Sequence, residues 1–343
     1  MSESPAATAV QTAGPDAPRG RRGRRSADVP ALVAGAREGD ARSVARLISL
    51  VEDASPALRE VAAALSPHTG HAQVIGLTGS PGVGKSTTTT ALVRAFRKAG
   101  KRVGVLAVDP SSPFSGGALL GDRVRMQDHA GDGGVYIRSM ASRGHLGGLA
   151  WATPQALRVL DAAGCDVVLI ETVGVGQSEL EIASLADTTL VLVAPGMGDG
   201  IQAAKAGILE VADLFVVNKA DRDGAQETVR DLRYMQSLGG RFAESGHWRP
   251  PICKTVASRE TDNGIDDVVE KIEEHRLWLE SSGEGNRRRE ERAAREIEAI
   301  ALAGLRERLG DVHGSAALGS LATAVVAGET DPFRAADELI AQL

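Results

Sequence analysis

The eight residues Gly79 to Ser86, GSPGVGKS, fit the pattern GxxxxGK[ST]. They follow the apolar run VIGLT and precede a helical stretch, the strand–loop–helix context in which this spacing cradles phosphate. Glycines let successive backbone N–H groups turn inward around phosphate oxygens, and the start of the following helix presents its positive end. Lys85 then reaches the β- and γ-phosphates, and Ser86 offers a hydroxyl to Mg2+. An ordinary glycine-rich turn has no need of a Lys followed by a Ser. Thr87 to Thr90 continue as a β-branched run of poor helix propensity, a local preference that yields to the site.

A second motif reads the base. Asn218, Lys219, Ala220 and Asp221 (NKAD) end the apolar run LFVV, at the strand edge where α/β sheets bind ligands. A carboxylate there accepts from both N1–H and the 2-amino group of guanine. Adenine presents an acceptor at N1 and lacks the amino group, and a site built for such hydrogen bonds discriminates by ~10⁴–10⁵. Four letters alone are weak. About 130 residues after a phosphate loop they favour GTP over ATP.

Acids at strand ends come third. Asp109 closes RVGVLAVD and Glu171 closes DVVLIE, heading ETVGVGQSE with Gly174 and Gly176. Carboxylates there are placed to hold a nucleotide-bound Mg2+, directly or through water, although a solvated strand-end acid reads equally well for Asp109 alone. The glycines after Glu171 allow a backbone N–H to meet the γ-phosphate and the segment to move on hydrolysis. The glycine-rich stretch 110–125 holds Asp122, Arg123 and Arg125, which could reach phosphate or metal or form a surface ion-pair cluster. The stretch 195–205 holds Gln202 and Lys205, open to partner sensing or to an amphipathic helix. No strand-end Gln of the kind that orients water is evident, which predicts slow hydrolysis that a partner accelerates; an inserted arginine can contribute ~10³–10⁵.

The elements that must position these residues are legible from periodicity. Apolar runs at 73–79, 102–109, 134–139, 166–172, 188–195, 213–221 and 251–258 alternate with helical stretches. Near-continuous apolar strands between helices predict an α/β fold with a mostly parallel, doubly wound sheet: a P-loop NTPase. Residues 28–66 carry helical spacing broken at Pro56 and Pro67. After a helix near 264–280, SSGEGN (281–286) reads as a linker. Residues 287–309 then read as one long helix, charged in its first turns, with a stripe of Ile297, Ile300, Leu302, Leu305 and Leu309. A further helix is expected near 315–327, and Asp331 with Pro332 opens the last one. The expected domains are a disordered tail (1–27), an N-terminal helical segment (28–70), a P-loop GTPase domain (71–281) and a C-terminal helical region (282–343).

At about 150 residues per domain, 343 residues suggest roughly two domains. With 43% hydrophobic and 24% charged residues the chain is not globally disordered. The net charge is −6, yet the first 27 residues hold five Arg against Glu3 and Asp16, so the rest carries −9. A body that acidic is a poor grip for a nucleic-acid backbone, and the three Trp are too scattered for a stacking platform. Cys165 and Cys253 form neither a CxxC pair nor a disulfide framework, which fits a reducing compartment. His68 and His71 stand in a Pro/Gly turn, where capping or solvation outweighs metal binding. No span is suited to a membrane. The expected location is cytoplasmic, or the mitochondrial matrix should the basic tail be a transit peptide.

The strings GSPGVGKST, VLAVDPSSPFSGGALLGDRVRM, ETVGVGQSE, APGMGDGIQAAKAGILEVADLFVVNKAD and TDPFRAADEL together resemble the methylmalonyl-CoA mutase-associated GTPases, the MeaB-type G-proteins with an older link to arginine/ornithine transport. The resemblance covers roughly residues 30–343. It implies a homodimeric, Mg2+-dependent GTPase that serves as chaperone to an adenosylcobalamin-dependent acyl-CoA mutase, gating cofactor loading and removal of inactivated cofactor. It implies GTP or GDP bound by Gly79, Ser80, Pro81, Gly82, Val83, Gly84, Lys85, Ser86 and Thr87, with Asn218, Lys219, Asp221, Val256, Ala257 and Ser258 around the base. Ser86, Asp109, Asp122 and Glu171 form the implied metal group, and Lys85, Asp109 and Glu171 the implied catalytic set. It makes 195–205 a switch that contacts the mutase and the C-terminal arm a dimerisation element. Three rivals remain: a kinase of a transport system, a metal-insertion GTPase, and a structural dimer with passive nucleotide.

Overall fold

The apolar runs become seven strands in the computed structural model, which describes residues 27–53, 55–110, 129, 131–142, 152–172, 178–196, 211–238, 247–309 and 316–341. In chain order they are β1 (Gln73–Thr78), β2 (Val103–Pro110), β3 (Val135–Ser142), β4 (Val167–Thr172), β5 (Thr188–Val193), β6 (Leu214–Val217) and β7 (Ile252–Lys254). They lie in the order β3-β2-β4-β1-β5-β6-β7, and every pairing is parallel. β5 and β6 are buried along their whole length. Their sequences show no alternation because a parallel sheet covered on both faces leaves no strand face to water. This is a P-loop NTPase architecture, as the sequence predicts.

Helices α1 (Val29–Arg37), α2 (Ala41–Glu52) and α3 (Leu58–Leu65) precede the sheet. Asp28 caps α1 by accepting from Ala31 N at 3.1 Å, and Asp40 caps α2 by accepting from Ser43 N at 3.0 Å. Leu47, Ile48, Val51 and Leu65 from these helices join Leu106, Met140 and Val168 of one sheet face in a single core. Helix α5 (Ala152–Ala162) lies between them and contributes Ala156, Val159 and Leu160.

On the other face, α4 (Lys85–Lys98) sends Leu92, Val93 and Phe96 onto Ile75, Leu77, Val103 and Val105. The two faces draw on alternate strand positions, as the pleat requires. Helix α6 (Ser178–Leu185) leads into β5, and α7 (Ala225–Leu238) covers β6 with Val229 and Leu232. Helix α8 (Ile265–Ser282) packs Val268 and Ile272 beside α4.

The stretch read as a linker at 281–286 is not one. α8 runs to Ser282, Gly283 alone breaks it with φ 76°, and α9 (Glu284–Leu309) starts at the next residue. A single left-handed residue ends a helix, and Gly adopts it without a Cβ penalty. The polar SSGEGN composition therefore belongs to two helix ends. Helices α10 (Ala316–Val326) and α11 (Pro332–Ala341) follow, the latter capped by Asp331 accepting from Phe333 N at 2.9 Å.

The charge in the first turns of α9 docks it on the α/β body. Arg288 Nη1 and Nη2 donate to Asp213 at 3.1 and 3.0 Å, Arg292 pairs with Asp187, and Arg158 pairs with Glu296. Asp213 and Asp187 stand just before β6 and β5, so α9 crosses beneath the N-terminal edge of the sheet, opposite the phosphate loop. An apolar groove of about 550 Å³, lined by Val74, Leu157, Leu185, Ala299 and Leu302, lies under α9 there. No helix among the described residues is long and apolar enough to cross a membrane. The tail expected at 1–27 lies, but for Ala27, outside the described residues.

Candidate functional site

The loop between β1 and α4 is shaped by its glycines. Gly84 has φ 99°, and a Cβ there would stand 2.4 Å from Asn218 Nδ2. Only Gly permits both the backbone turn and that approach. No side chain caps α4, and an uncapped helix start following a glycine loop takes an anion as its partner. Lys85 Nζ folds back on the loop, donating to Gly79 O at 2.6 Å and Ser80 O at 3.2 Å. That places its positive charge in the concavity where phosphate oxygens would lie.

Glu171 reaches this point through strand register. Leu77 of β1 is level with Glu171 of β4, so the carboxylate sits at the C-terminal edge beside the first turn of α4. It is 2% exposed. The Ser86 hydroxyl donates to Oε1, and the Thr89 hydroxyl lies 2.9 Å from Oε2. This buried, all-oxygen set fits Mg2+, a hard cation bound by one or two carboxylates plus phosphates and water. In β2, Asp109 follows the Val108–Thr172 pair at the same edge. Its side chain, and Asp122, Arg123, Arg125, Gln202 and Lys205, lie outside the described residues.

The guanine-motif residues are tied to the phosphate loop. Asn218 Nδ2 donates to Val83 O at 2.8 Å, while its Oδ1 accepts from Thr255 Oγ1 and Ala257 N, both at 3.1 Å. Lys219, at φ 58°, donates from Nζ to Gly82 O at 2.6 Å. Ala220 N donates to Thr255 O at 2.9 Å, which brings the segment Val256–Ala257–Ser258 alongside. Ala257 is buried, Val256 half-buried and Ser258 exposed. Asp221 stands at the rim, its side chain 44% exposed and 3.7 Å from Arg259 Nη2.

The structure thus gathers Lys85, Ser86, Glu171, Asn218 and Lys219 with Ala257, and leaves Asp221 at the mouth. Sequence reasoning missed Thr89, Thr255 and Arg259. Thr89 carried a signal, because position i+3 from Ser86 shares its helix face; Thr255 and Arg259 carried none.

Burial pushes the Cys165 and Cys253 thiols up to about 12, the latter with help from Asp267, so neither offers a thiolate at neutral pH. No cluster of three His, Cys, Asp or Glu that could hold a metal occurs among the described residues.

The family described as methylmalonyl Co-A mutase-associated GTPase MeaB matches residues 44–312. A protein of Pyrococcus abyssi, provisionally named a GTPase, is 46% identical over 91% of this chain and 96% of its own length. The GTPase ArgK of Escherichia coli is 37% identical over 72% of this chain and 76% of its own. The mouse mitochondrial methylmalonic aciduria type A homolog is 39% identical over 61% of this chain and 50% of its own. Among solved structures, that of a protein described as an LAO/AO transport system kinase superposes with a TM-score of 0.66 at 27% identity, covering 92% of this chain and 97% of that one.

Proposed function

The chain belongs to the methylmalonyl Co-A mutase-associated GTPase family, and from that premise we propose that it is a Mg2+-dependent GTPase that acts as chaperone to an adenosylcobalamin-dependent acyl-CoA mutase. In this reading it gates loading of intact cofactor and removal of inactivated cofactor. The observation that carries the nucleotide part is the bond from Asn218 to Val83, which joins base-reading and phosphate-binding segments into one site.

Each residue has a task in that reaction. Backbone N–H groups of Gly79 to Thr87 and the ammonium of Lys85 hold the phosphates and stabilise charge as the γ-phosphoryl departs in line. Mg2+ would be held by Ser86, with Glu171, Asp109 and Asp122 as its acidic neighbours, and would supply charge neutralisation across the β- and γ-phosphates. Asp221 accepts from guanine N1–H and the 2-amino group, while Val256, Ala257 and Ser258 close over the base. The residues 195–205 serve as the switch that reads the mutase. Ile297, Ile300, Leu302 and Leu305 are exposed on α9, which supports pairing of two copies through this arm.

The test is co-purification of the chain with candidate acyl-CoA mutases, with and without a non-hydrolysable GTP analogue, together with the GTPase rate. The expected result is nucleotide-dependent association and faster hydrolysis in the complex. A protein that does not bind GDP, or whose rate no mutase changes, sinks the proposal. A second reading, protein kinase, is favoured by the likeness to the solved transport system kinase. Labelled γ-phosphate separates the two: release as inorganic phosphate supports the GTPase, and transfer to a protein supports the kinase.

A further inference from the structure

Four consecutive threonines open α4, and their hydroxyls are not equivalent. Thr88 Oγ1 donates to Gly84 O at 3.0 Å and Thr90 Oγ1 to Ser86 O at 3.0 Å, each bonding back one helical turn. Thr89 Oγ1 stands 3.0 Å from Lys85 O in the same way, yet it also lies 2.9 Å from Glu171 Oε2. Thr89 is fully buried. A hydroxyl has a single proton, and an ionised carboxylate is the stronger acceptor. The proton of Thr89 is therefore shared in favour of Glu171, with the Lys85 carbonyl as its weaker second acceptor.

The two oxygens of Glu171 are thus engaged by hydroxyls one helical turn apart. Ser86 holds Oε1 and Thr89 holds Oε2. A serine that donates its proton to a carboxylate keeps its lone pairs for a cation. The carboxylate then fixes which way those lone pairs face, and this is how outer-sphere partners orient a metal ligand. It can do so only while its own plane is held. Ser86 bonds one oxygen and Thr89 the other, so the two hydroxyls together set the carboxylate plane.

We propose that Thr89 is a positioning residue for the metal site: it holds Glu171 so that the Ser86 hydroxyl keeps its lone pairs toward Mg2+. The proposal rests on the GTPase reading above and deepens it. It also accounts for a threonine at a helical position where propensity alone favours Ala or Leu.

The experiment compares Thr89→Val, Thr89→Ser and Thr88→Val in the full chain, following release of a fluorescent GDP analogue against Mg2+ concentration and, separately, GDP affinity in EDTA. Valine keeps the shape and removes the hydroxyl. Serine keeps the hydroxyl. Thr88→Val removes an equivalent bond to the helix backbone without touching Glu171. The expected result is that Thr89→Val raises the Mg2+ needed for half-maximal retention by about tenfold or more. Its GDP affinity in EDTA stays within about twofold of the native protein, and Thr89→Ser and Thr88→Val match native Mg2+ dependence, in line with a loss confined to the metal's outer sphere. The proposal is overturned by native Mg2+ dependence in Thr89→Val, by Thr89→Ser as impaired as Thr89→Val, or by an equal loss of metal-free GDP affinity, which would make Thr89 a fold residue. A native protein that binds no guanine nucleotide overturns the GTPase reading instead, so the two failures are told apart.

Discussion

Asn218 Nδ2 donates to Val83 O at 2.8 Å across 135 residues of sequence. The same side chain accepts from Thr255 Oγ1 and Ala257 N, so one buried amide joins the phosphate loop, the end of β6 and the loop after β7. Asn218→Ala removes all three bonds and leaves Val83 O and Ala257 N without that partner. Each buried polar group so left costs about 1–3 kcal/mol, giving an expected loss of about 2–6 kcal/mol in urea unfolding. GDP affinity measured by calorimetry should fall with it. Stability within about 0.5 kcal/mol of native would show that the loops are held elsewhere.

Arg288 and Arg287 are neighbours on α9 with opposite expected consequences. Arg288 forms a two-pronged pair with Asp213, whose side chain is 8% exposed, whereas Arg287 is 57% exposed and, among the described residues, pairs along its own helix with Glu284 and Glu291. Arg288→Ala strands a buried carboxylate, at an expected cost of about 3 kcal/mol. Arg287→Ala should cost at most about 0.5 kcal/mol. Urea unfolding of both variants, with limited proteolysis of 284–309, checks the contrast; equal effects would contradict docking through Asp213.

That contrast marks where the sequence stops being legible. Strand runs such as TTLVLV and LFVV declare a buried parallel sheet because nothing on them is strongly polar, and GSPGVGKS and NKAD declare their loops because few other structures need those residues together. The docking face of α9 is made of Arg288, Arg292 and Glu296 at four-residue spacing. Charges at that spacing look like a solvated face until Asp213 and Asp187, remote in sequence, are brought beneath them. Of the more conspicuous apolar stripe, Ile297, Ile300 and Leu305 lie exposed, and Leu302, at the edge of the groove, is itself half-exposed. Gly283 misleads for a related reason: SSGEGN has loop composition, and one left-handed residue suffices to turn it into two helix ends. In the site, Lys85 and Ser86 are evident from spacing, whereas the grip of Thr89 on Glu171 depends on strand register, which pattern does not reveal.

His275 is fully buried against Trp248 and Trp278, with Nδ1 2.9 Å from Thr188 Oγ1. Burial pushes its pKa down to about 4 from 6.5; the nearby Asp213 opposes the shift, and Arg288 adds to it. The carboxylate of Asp213 is already engaged by Arg288 and by Thr189 N, so it does not rescue the charged ring. In the unfolded chain the imidazole takes a proton near pH 6.5, while in the folded protein it resists until about pH 4. The contribution is therefore complete above pH 6.5 and is lost as pH falls through that window, by about 3 kcal/mol in all. His275→Gln should flatten the fall in unfolding free energy between pH 6.5 and 4 relative to native. Parallel curves for the two proteins would refute a neutral buried ring.

Asp221 offers the sharpest test of base recognition, because its structural role is small. Among the described residues its ion-pair partner is Arg259 at 3.7 Å, both side chains well exposed, so Asp221→Ala should change stability by less than about 0.5 kcal/mol. Affinity is another matter. Guanine N1–H and the 2-amino group both lose a charged acceptor, and at about 1.5–3 kcal/mol for each such bond GDP binding should weaken by two orders of magnitude or more. ADP makes neither bond, so its weaker affinity should shift by no more than about threefold, within the scatter of a surface substitution. Titrating both nucleotides against native and variant protein gives the answer as a ratio. A collapse of the GDP-to-ADP preference assigns base reading to Asp221. Equal losses for the two nucleotides would make it a loop-shaping residue, and an unchanged ratio would place guanine recognition on other groups.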